Sequence, residues 1–214
     1  MLAKLKSRAV VIGLVCLAVG GARAEPTDNW VQEYVVQFPG PEGNPGGAGV
    51  YLGKGLVITA AHVVGTTIRA ATVKIDGVNV AARLIKGGGD PDLSLLSMDE
   101  RTLPTSLLER RMPLCQEQPP VGAPVILGAV RGITRTSIAS PMLIPPEMRT
   151  KFSTLISEAE TNGKSGSGVF DAEKKCLLGI LSAKIRNNIE NKDIASYFVP
   201  ASAIQSFVPP GTRW

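Results

Sequence analysis

The sequence predicts an all-β fold, a sandwich or a barrel, and three observations carry that expectation. Short apolar runs rich in β-forming residues recur along most of the 214 residues, each closed by a turn signal. Two of those signals, Asp76-Gly77 and Arg131-Gly132, stand between apolar runs as hairpin turns do. Only residues 201–208 carry the pattern of a helix. A proline-rich stretch over 112–124, with Pro113, Pro119, Pro120 and Pro124, separates the strands into two groups and reads as a linker between two β halves.

The chain opens with a segment set apart from the rest. Residues 1–24 read as a secretory signal peptide: Lys4, Lys6 and Arg8 make a basic start, 9–21 an apolar run too short to span a bilayer comfortably, and Ala22-Arg23-Ala24 a small-x-small cleavage pattern. An uncleaved anchor is the alternative. Lipidation at Cys16 is disfavoured, because Val15 stands where a small residue is needed. Cleavage would remove four of the 23 basic residues and none of the 18 acidic ones, leaving 19 against 18. The basic balance of the whole chain therefore comes from its leader. No basic cluster with interleaved aromatics remains, which argues against nucleic-acid binding. No second apolar run is long enough to cross a membrane, so no stable membrane association is expected once the leader is gone. Residues 25–214 suit one domain, or two small halves sharing an interface.

The strands follow in order. Residues 30–38 are apolar and rich in β-formers and predict a first strand. The stretch 39–47, with four glycines and three prolines, is a loop. Residues 48–59 read as a hairpin turning at Gly53-Lys54-Gly55, and 70–75 with 78–85 as a second hairpin about Asp76-Gly77. A strand at 93–98 ends the first group. In the second, 125–130 and 133–139 flank Arg131-Gly132, and 152–156, 168–170, 177–185 and 197–199 complete the set. Loss of Cys16 with the leader would leave Cys115 and Cys176, an even pair that in an exported chain points to a disulfide; two buried thiols is the alternative.

Three stretches carry chemistry. Thr161-Asn162-Gly163-Lys164-Ser165-Gly166-Ser167-Gly168 sets a serine among glycines just before an apolar strand. Such a turn exposes a hydroxyl and can aim several backbone N–H groups at one point, as acyl transfer requires. Read alone, it is equally an ordinary Gly/Ser loop. His62, the single histidine, follows the apolar strand that ends Ile58-Thr59-Ala60-Ala61. If the serine is a nucleophile, its base must be His62, since imidazole alone titrates near neutrality. Asp92 opens Asp92-Leu93-Ser94-Leu95-Leu96, where a carboxylate at a strand mouth needs a hydrogen-bonding partner. Asp90 is its rival, and Asp92 is preferred because the strand begins directly after it.

Ile58 to His62, Asp92 to Leu96 and Gly163 to Ser167 together resemble the three signature blocks of trypsin-like (chymotrypsin-fold) serine proteases, in that family's order. The layout is similar to the bacterial secreted and periplasmic branch, including the protease domain of Deg/Htr-type enzymes, as is Tyr197-Phe198-Val199-Pro200 leading into a helix. The resemblance spans about residues 31–208. It implies two antiparallel six-stranded β-barrels packed together with a short C-terminal helix, the first barrel over about 30–111 and the second over about 125–208. It implies a serine endopeptidase working through an acyl-enzyme, with Ser165 as nucleophile, His62 as general base and Asp92 orienting it. Backbone N–H groups of Gly163 and Ser165 would form the oxyanion hole. Ala159, Ser182 and Ala183 would meet substrate, Leu181-Ser182-Ala183 as the strand that pairs with it. Partners would be peptides or proteins, no metal or cofactor is implied, and the location would be periplasmic or extracellular. Ala159 sits where relatives specific for basic residues place an acid, so cleavage after small or medium apolar residues is expected. Lys164 departs from the family's usual Asp or Asn. The alternative is a protease fold used as a non-catalytic binding module, though such proteins usually lose one of the three side chains kept here.

Overall fold

The structure is a computed structural model, and it describes residues 26–40, 46–65, 70–157, 164–187 and 191–212. The expected signal segment lies outside these residues. Twelve strands form two closed six-stranded antiparallel barrels. In the first, β1 (Val35–Phe38), β2 (Gly47–Gly53), β3 (Leu56–Thr59), β4 (Ala70–Ile75), β5 (Val78–Gly89) and β6 (Asp92–Met98) close in the order β1-β2-β3-β6-β5-β4. In the second, β7 (Pro124–Ala129), β8 (Gly132–Ala139), β9 (Leu155–Ile156), β10 (Gly168–Asp171), β11 (Cys176–Asn187) and β12 (Lys192–Pro200) close as β10-β11-β12-β9-β8-β7. Short helices α1 (Ala61–Val64), α2 (Thr105–Leu108) and α3 (Pro146–Arg149) lie in the connections, and α4 (Ala201–Phe207) follows β12.

The apolar runs are continuous because many strands are buried on both faces. Successive side chains point to opposite faces of a strand. On β3, Val57 enters the core of the first barrel while Ile58 enters the seam between the barrels. On β6, Leu96 points into the barrel and Leu93 and Leu95 into the seam. The second barrel mirrors this, with Val169 inside and Phe170 in the seam. Closure leaves few strand edges open to wrong pairing. Between β4 and β5, Asp76 and Gly77 both take positive φ, at 50° and 80°, which suits the twist of a two-residue hairpin.

Four elements differ from expectation. Residues 30–38 form a strand only over Val35–Phe38; Pro26–Tyr34 is a 3-10 helix. Its side chains clamp the second barrel. Val31 is fully buried, the Trp30 ring meets Phe170 edge-on at 5.7 Å, and Asp28 pairs with Arg135 Nε at 2.6 Å. Tertiary packing thus overrides β propensity. Second, β5 runs four residues past Ile85 through Gly87-Gly88-Gly89, because pairing with β6 persists to Gly89 opposite Asp92. Third, β12 begins at Lys192, where polar residues pair with the exposed end of β11. Fourth, β9 is limited to Leu155–Ile156.

The linker is tied to the second barrel. Cys115 and Cys176 form a disulfide with Cα atoms 5.1 Å apart. Beside it, Cys115 N–H donates to Leu177 O at 3.0 Å and Leu177 N–H to Pro113 O at 2.8 Å. At the far end of the chain α4 reaches back to the first barrel. Lys86 Nζ on β5 donates to Phe207 O at 2.9 Å and lies 4.5 Å from the centre of the Phe207 ring.

Candidate active site

The seam between the barrels opens where strand ends from both halves meet. β3 ends at Thr59, and the chain turns at once into the single turn of α1, where Val63 N–H donates to Ala60 O and Gly65 N–H to Ala61 O. His62 is thereby set at the rim, with about half of its side chain exposed. Asp92 is the first residue of β6, the neighbour of β3 in the sheet, so strand pairing brings the two side chains together.

Their contact has two parts. His62 Nδ1 and Asp92 Oδ2 are 2.7 Å apart, and the backbone N–H of His62 donates to Asp92 Oδ1 at 3.1 Å. Ser182 Oγ on β11 donates to Asp92 Oδ2 at 2.7 Å, so a hydroxyl from the second barrel completes the carboxylate's surroundings. Burial pushes the Asp92 pKa up, but the hydrogen bonds from the His62 ring and Ser182, with the His62 charge and backbone N–H, together outweigh it. The net result lies below the ordinary carboxylate value. An ionised carboxylate only accepts, so Nδ1 carries the proton and Nε2 is the basic nitrogen of the neutral ring. Asp92, not the exposed Asp90, meets the imidazole.

Ser165 reaches the same rim from the second barrel. Its loop is anchored to both halves. Ala48 N–H on β2 donates to Ser165 O at 2.8 Å, Gly166 N–H to Leu181 O at 2.8 Å, and Leu181 N–H to Ser167 O at 2.8 Å. Gly166 is required here: its φ is +80°, and a Cβ would collide with Ala48 O and Thr59 Oγ1. Gly47 marks how near this loop lies to α1. A Cβ at that position would stand 2.5 Å from Val63 Cγ1 and 3.1 Å from Ser165 O. The serine's backbone and the residue after His62 therefore crowd one point.

The other expected residues fall as follows. Gly163 and Ala159 lie outside the described residues. Ala183 is on β11 opposite Tyr197 of β12, next to Ser182. Ser182 does more than sequence assigned to it, since its hydroxyl holds Asp92. Nothing local signalled that contact, which joins residues 90 positions apart. Tyr197 is a second residue sequence did not place at the site. Burial raises its phenol pKa, and the charges of Asp90 and Asp92 raise it further, so it stays neutral beside the carboxylates. Among the described residues no cluster of side chains could hold a metal ion.

A double barrel with an aspartate, a histidine and a glycine-flanked serine at its seam has the architecture of the chymotrypsin-fold serine proteases. The family model for the trypsin-like peptidase domain matches residues 47–180, and the chain belongs to that family. Solved structures share the fold. The active form of the Rv3671c protease from M. tuberculosis superposes with a TM-score of 0.62 at 18% identity, over 85% of this chain and 82% of that one. The serine endoprotease from Yersinia pestis gives 0.62 at 18% identity, over 86% of this chain and 65% of that one. The MamO protease domain from Magnetospirillum magneticum gives 0.61 at 20% identity, over 84% and 97%. No curated protein matches the sequence.

Proposed function

We infer that the protein is an exported serine endopeptidase that hydrolyses peptide bonds through an acyl-enzyme. The observation that carries this reading is the 2.7 Å contact between His62 Nδ1 and Asp92 Oδ2, which leaves Nε2 as base at the rim where the Ser165 loop docks. Ser165 Oγ attacks the substrate carbonyl and gives its proton to His62 Nε2. The proton then passes to the leaving amine, and the C–N bond breaks. Water, deprotonated by the same nitrogen, attacks the ester and restores Ser165. Asp92 holds the tautomer and stabilises the imidazolium that forms in each half. Backbone N–H groups of Gly163 and Ser165 are assigned to the oxyanion. The disulfide and the sequence pattern of residues 1–24 support export, with 25–214 as the mature chain.

A fluorophosphonate probe tests the reading, because only an activated serine is labelled. Labelling of residues 25–214 is expected, with loss in Ser165→Ala and His62→Ala, and a fall in peptide turnover by a factor of about 10⁶ in either variant. Unlabelled protein that binds peptides unchanged would instead mark a non-catalytic binding module.

A further inference from the structure

The 3-10 helix Pro26–Tyr34 leads into β1 of the first barrel, yet its side chains lie on the second. Gln32 Nε2 donates to Ala129 O at 3.1 Å, and Val31, next to it in the chain, enters the seam with none of its surface exposed. Val31 meets a glycine there. A Cβ at Gly128 of β7 would stand 2.4 Å from Val31 Cγ1, 3.0 Å from Phe170 Cε2 and 3.4 Å from Val35 Cγ2. Gly128 pairs with Gly168 of β10, where a Cβ would stand 2.4 Å from Phe170 Cζ and 2.6 Å from Val50 Cγ2. Neither glycine lies in the left-handed region of φ, so space and not backbone conformation calls for them. Residues paired across two strands present the same face. The two glycines therefore form one trough, filled by Val31, Phe170 and Val50.

The trough adjoins the serine loop. Gly168 directly follows Ser167, whose carbonyl accepts from Leu181 N–H, and Gly166 N–H donates to Leu181 O. Across the seam Ser165 O accepts from Ala48 N–H, on the same β2 strand whose Val50 fills the trough. How near β10 comes to β2 bears on that bond, and in a close-packed interior the side-chain volume between two strands sets how near they come. His62 belongs to the β2 side of the seam, since β3, which leads into it, pairs with β2.

We propose that Val31 is a positioning residue for the reaction: wedged in the glycine trough, it holds β10 and the Ser165 loop at the distance from β2 that aligns Ser165 with His62. The inference rests on the endopeptidase reading above and adds to it a residue remote from the substrate. A buried side chain cut back leaves room that its surroundings close only in part. A misplacement of about 1 Å between reacting groups can cost about a hundredfold in rate.

The test compares variants on kcat, on KM and on hydrogen exchange at Ala48 N–H and Gly166 N–H, the two amides that hold the loop. Val31→Ala should lower kcat roughly tenfold with KM within about twofold of native, because alignment is lost and not peptide binding. Exchange at both amides should quicken roughly tenfold. Val31→Thr keeps the branched shape but buries a hydroxyl, so it should recover most of the lost kcat while remaining less stable than native. Val73→Ala removes the same atoms from the core of the first barrel and should lower the unfolding midpoint without changing kcat or either amide. Gly128→Ala collides with Val31 and should also slow turnover, and Val31→Ala added to it should restore part of the rate. Native kcat in Val31→Ala, an equal loss in Val31→Thr or Val73→Ala, or a raised KM in place of the kcat loss each overturns the proposal. Should Val31→Ala not fold, native kcat in Gly128→Ala overturns it. Fluorophosphonate labelling with kcat and exchange both unmoved in Val31→Ala refutes the wedge and leaves the endopeptidase standing. A native chain that neither labels nor hydrolyses refutes the endopeptidase, and exchange alone then decides the wedge: equal rates in native and Val31→Ala refute it.

Discussion

Ser182→Ala is the most informative single change, because it removes one atom that joins the two barrels at the site. Asp92 Oδ2 is shared by His62 Nδ1 and Ser182 Oγ at 2.7 Å each, while Oδ1 takes the His62 backbone N–H at 3.1 Å. Without the hydroxyl the carboxylate keeps His62 but loses a donor that lowers its pKa, so that pKa should rise toward the ordinary value. A hydrogen bond to a charged group contributes about 1.5–3 kcal/mol, and less where water can substitute. The Asp92 side chain keeps 23% of its surface exposed, so the lower part of that range applies. A loss of about 1.5 kcal/mol in the transition state is a drop of roughly tenfold in kcat/KM. The assay is the pH profile of kcat/KM with an NMR titration of the Asp92 carboxyl carbon. The variant should titrate at higher pH and lose rate, and Ser182→Thr, which keeps a hydroxyl, should recover most of both. A rate loss with an unmoved Asp92 titration would refute the reasoning, since the hydroxyl would then act on bound peptide rather than on the carboxylate.

Two further outcomes are expected. Replacing Cys115 and Cys176 by Ser opens a loop whose ends lie 61 residues apart, which chain entropy values at about 4 kcal/mol as an upper figure. The midpoint of denaturant unfolding should fall accordingly, and an unchanged midpoint would show that the linker is held by its backbone bonds alone. The second concerns acid. Because the folded pKa of Asp92 is depressed, its contribution to stability is complete above the unfolded value of about 3.9 and is lost as pH falls through the lower folded value. Asp92→Asn should therefore narrow the stability gap between neutral and strongly acidic pH, and an equal gap in both proteins would count against the depressed pKa.

Much of the fold was legible because its signals are local. Asp76-Gly77 turns where a positive φ is needed twice, and the apolar runs mark strands whatever they pack against. His62 and Asp92 were legible as strand-end residues, and the register of β3 on β6 turns that position into contact. What escaped depends on distant partners. Residues 30–34 read as the start of a strand but belong to the 3-10 helix Pro26–Tyr34, where Trp30 meets Phe170, Val31 is buried and Asp28 pairs with Arg135 of the other barrel. Ser182 read as a residue of the substrate strand, and only the docking of the barrels turns its hydroxyl on Asp92.

The same division explains why the site lies where it does. Along β3, β6 and β10 both faces are buried, one in a barrel and one in the seam, so a polar side chain there would lose its solvation on either side. Only where a strand begins or ends does that constraint lift. His62 follows the end of β3, Asp92 begins β6, and Ser165 precedes β10, each beyond the doubly buried stretch of its own strand. The carboxylate is the most enclosed of the charged groups there, and it is the one given donors from both barrels. A shift of one barrel against the other would move Ser182 Oγ from Asp92 Oδ2 and Ala48 N from Ser165 O together, since both bonds cross the seam. The link from Lys86 to Phe207 and the clamp of Asp28 on Arg135 cross it too and resist that shift. Packing between the barrels thus sets how the Asp92 carboxylate and the Ser165 backbone are held, and no single strand could supply it.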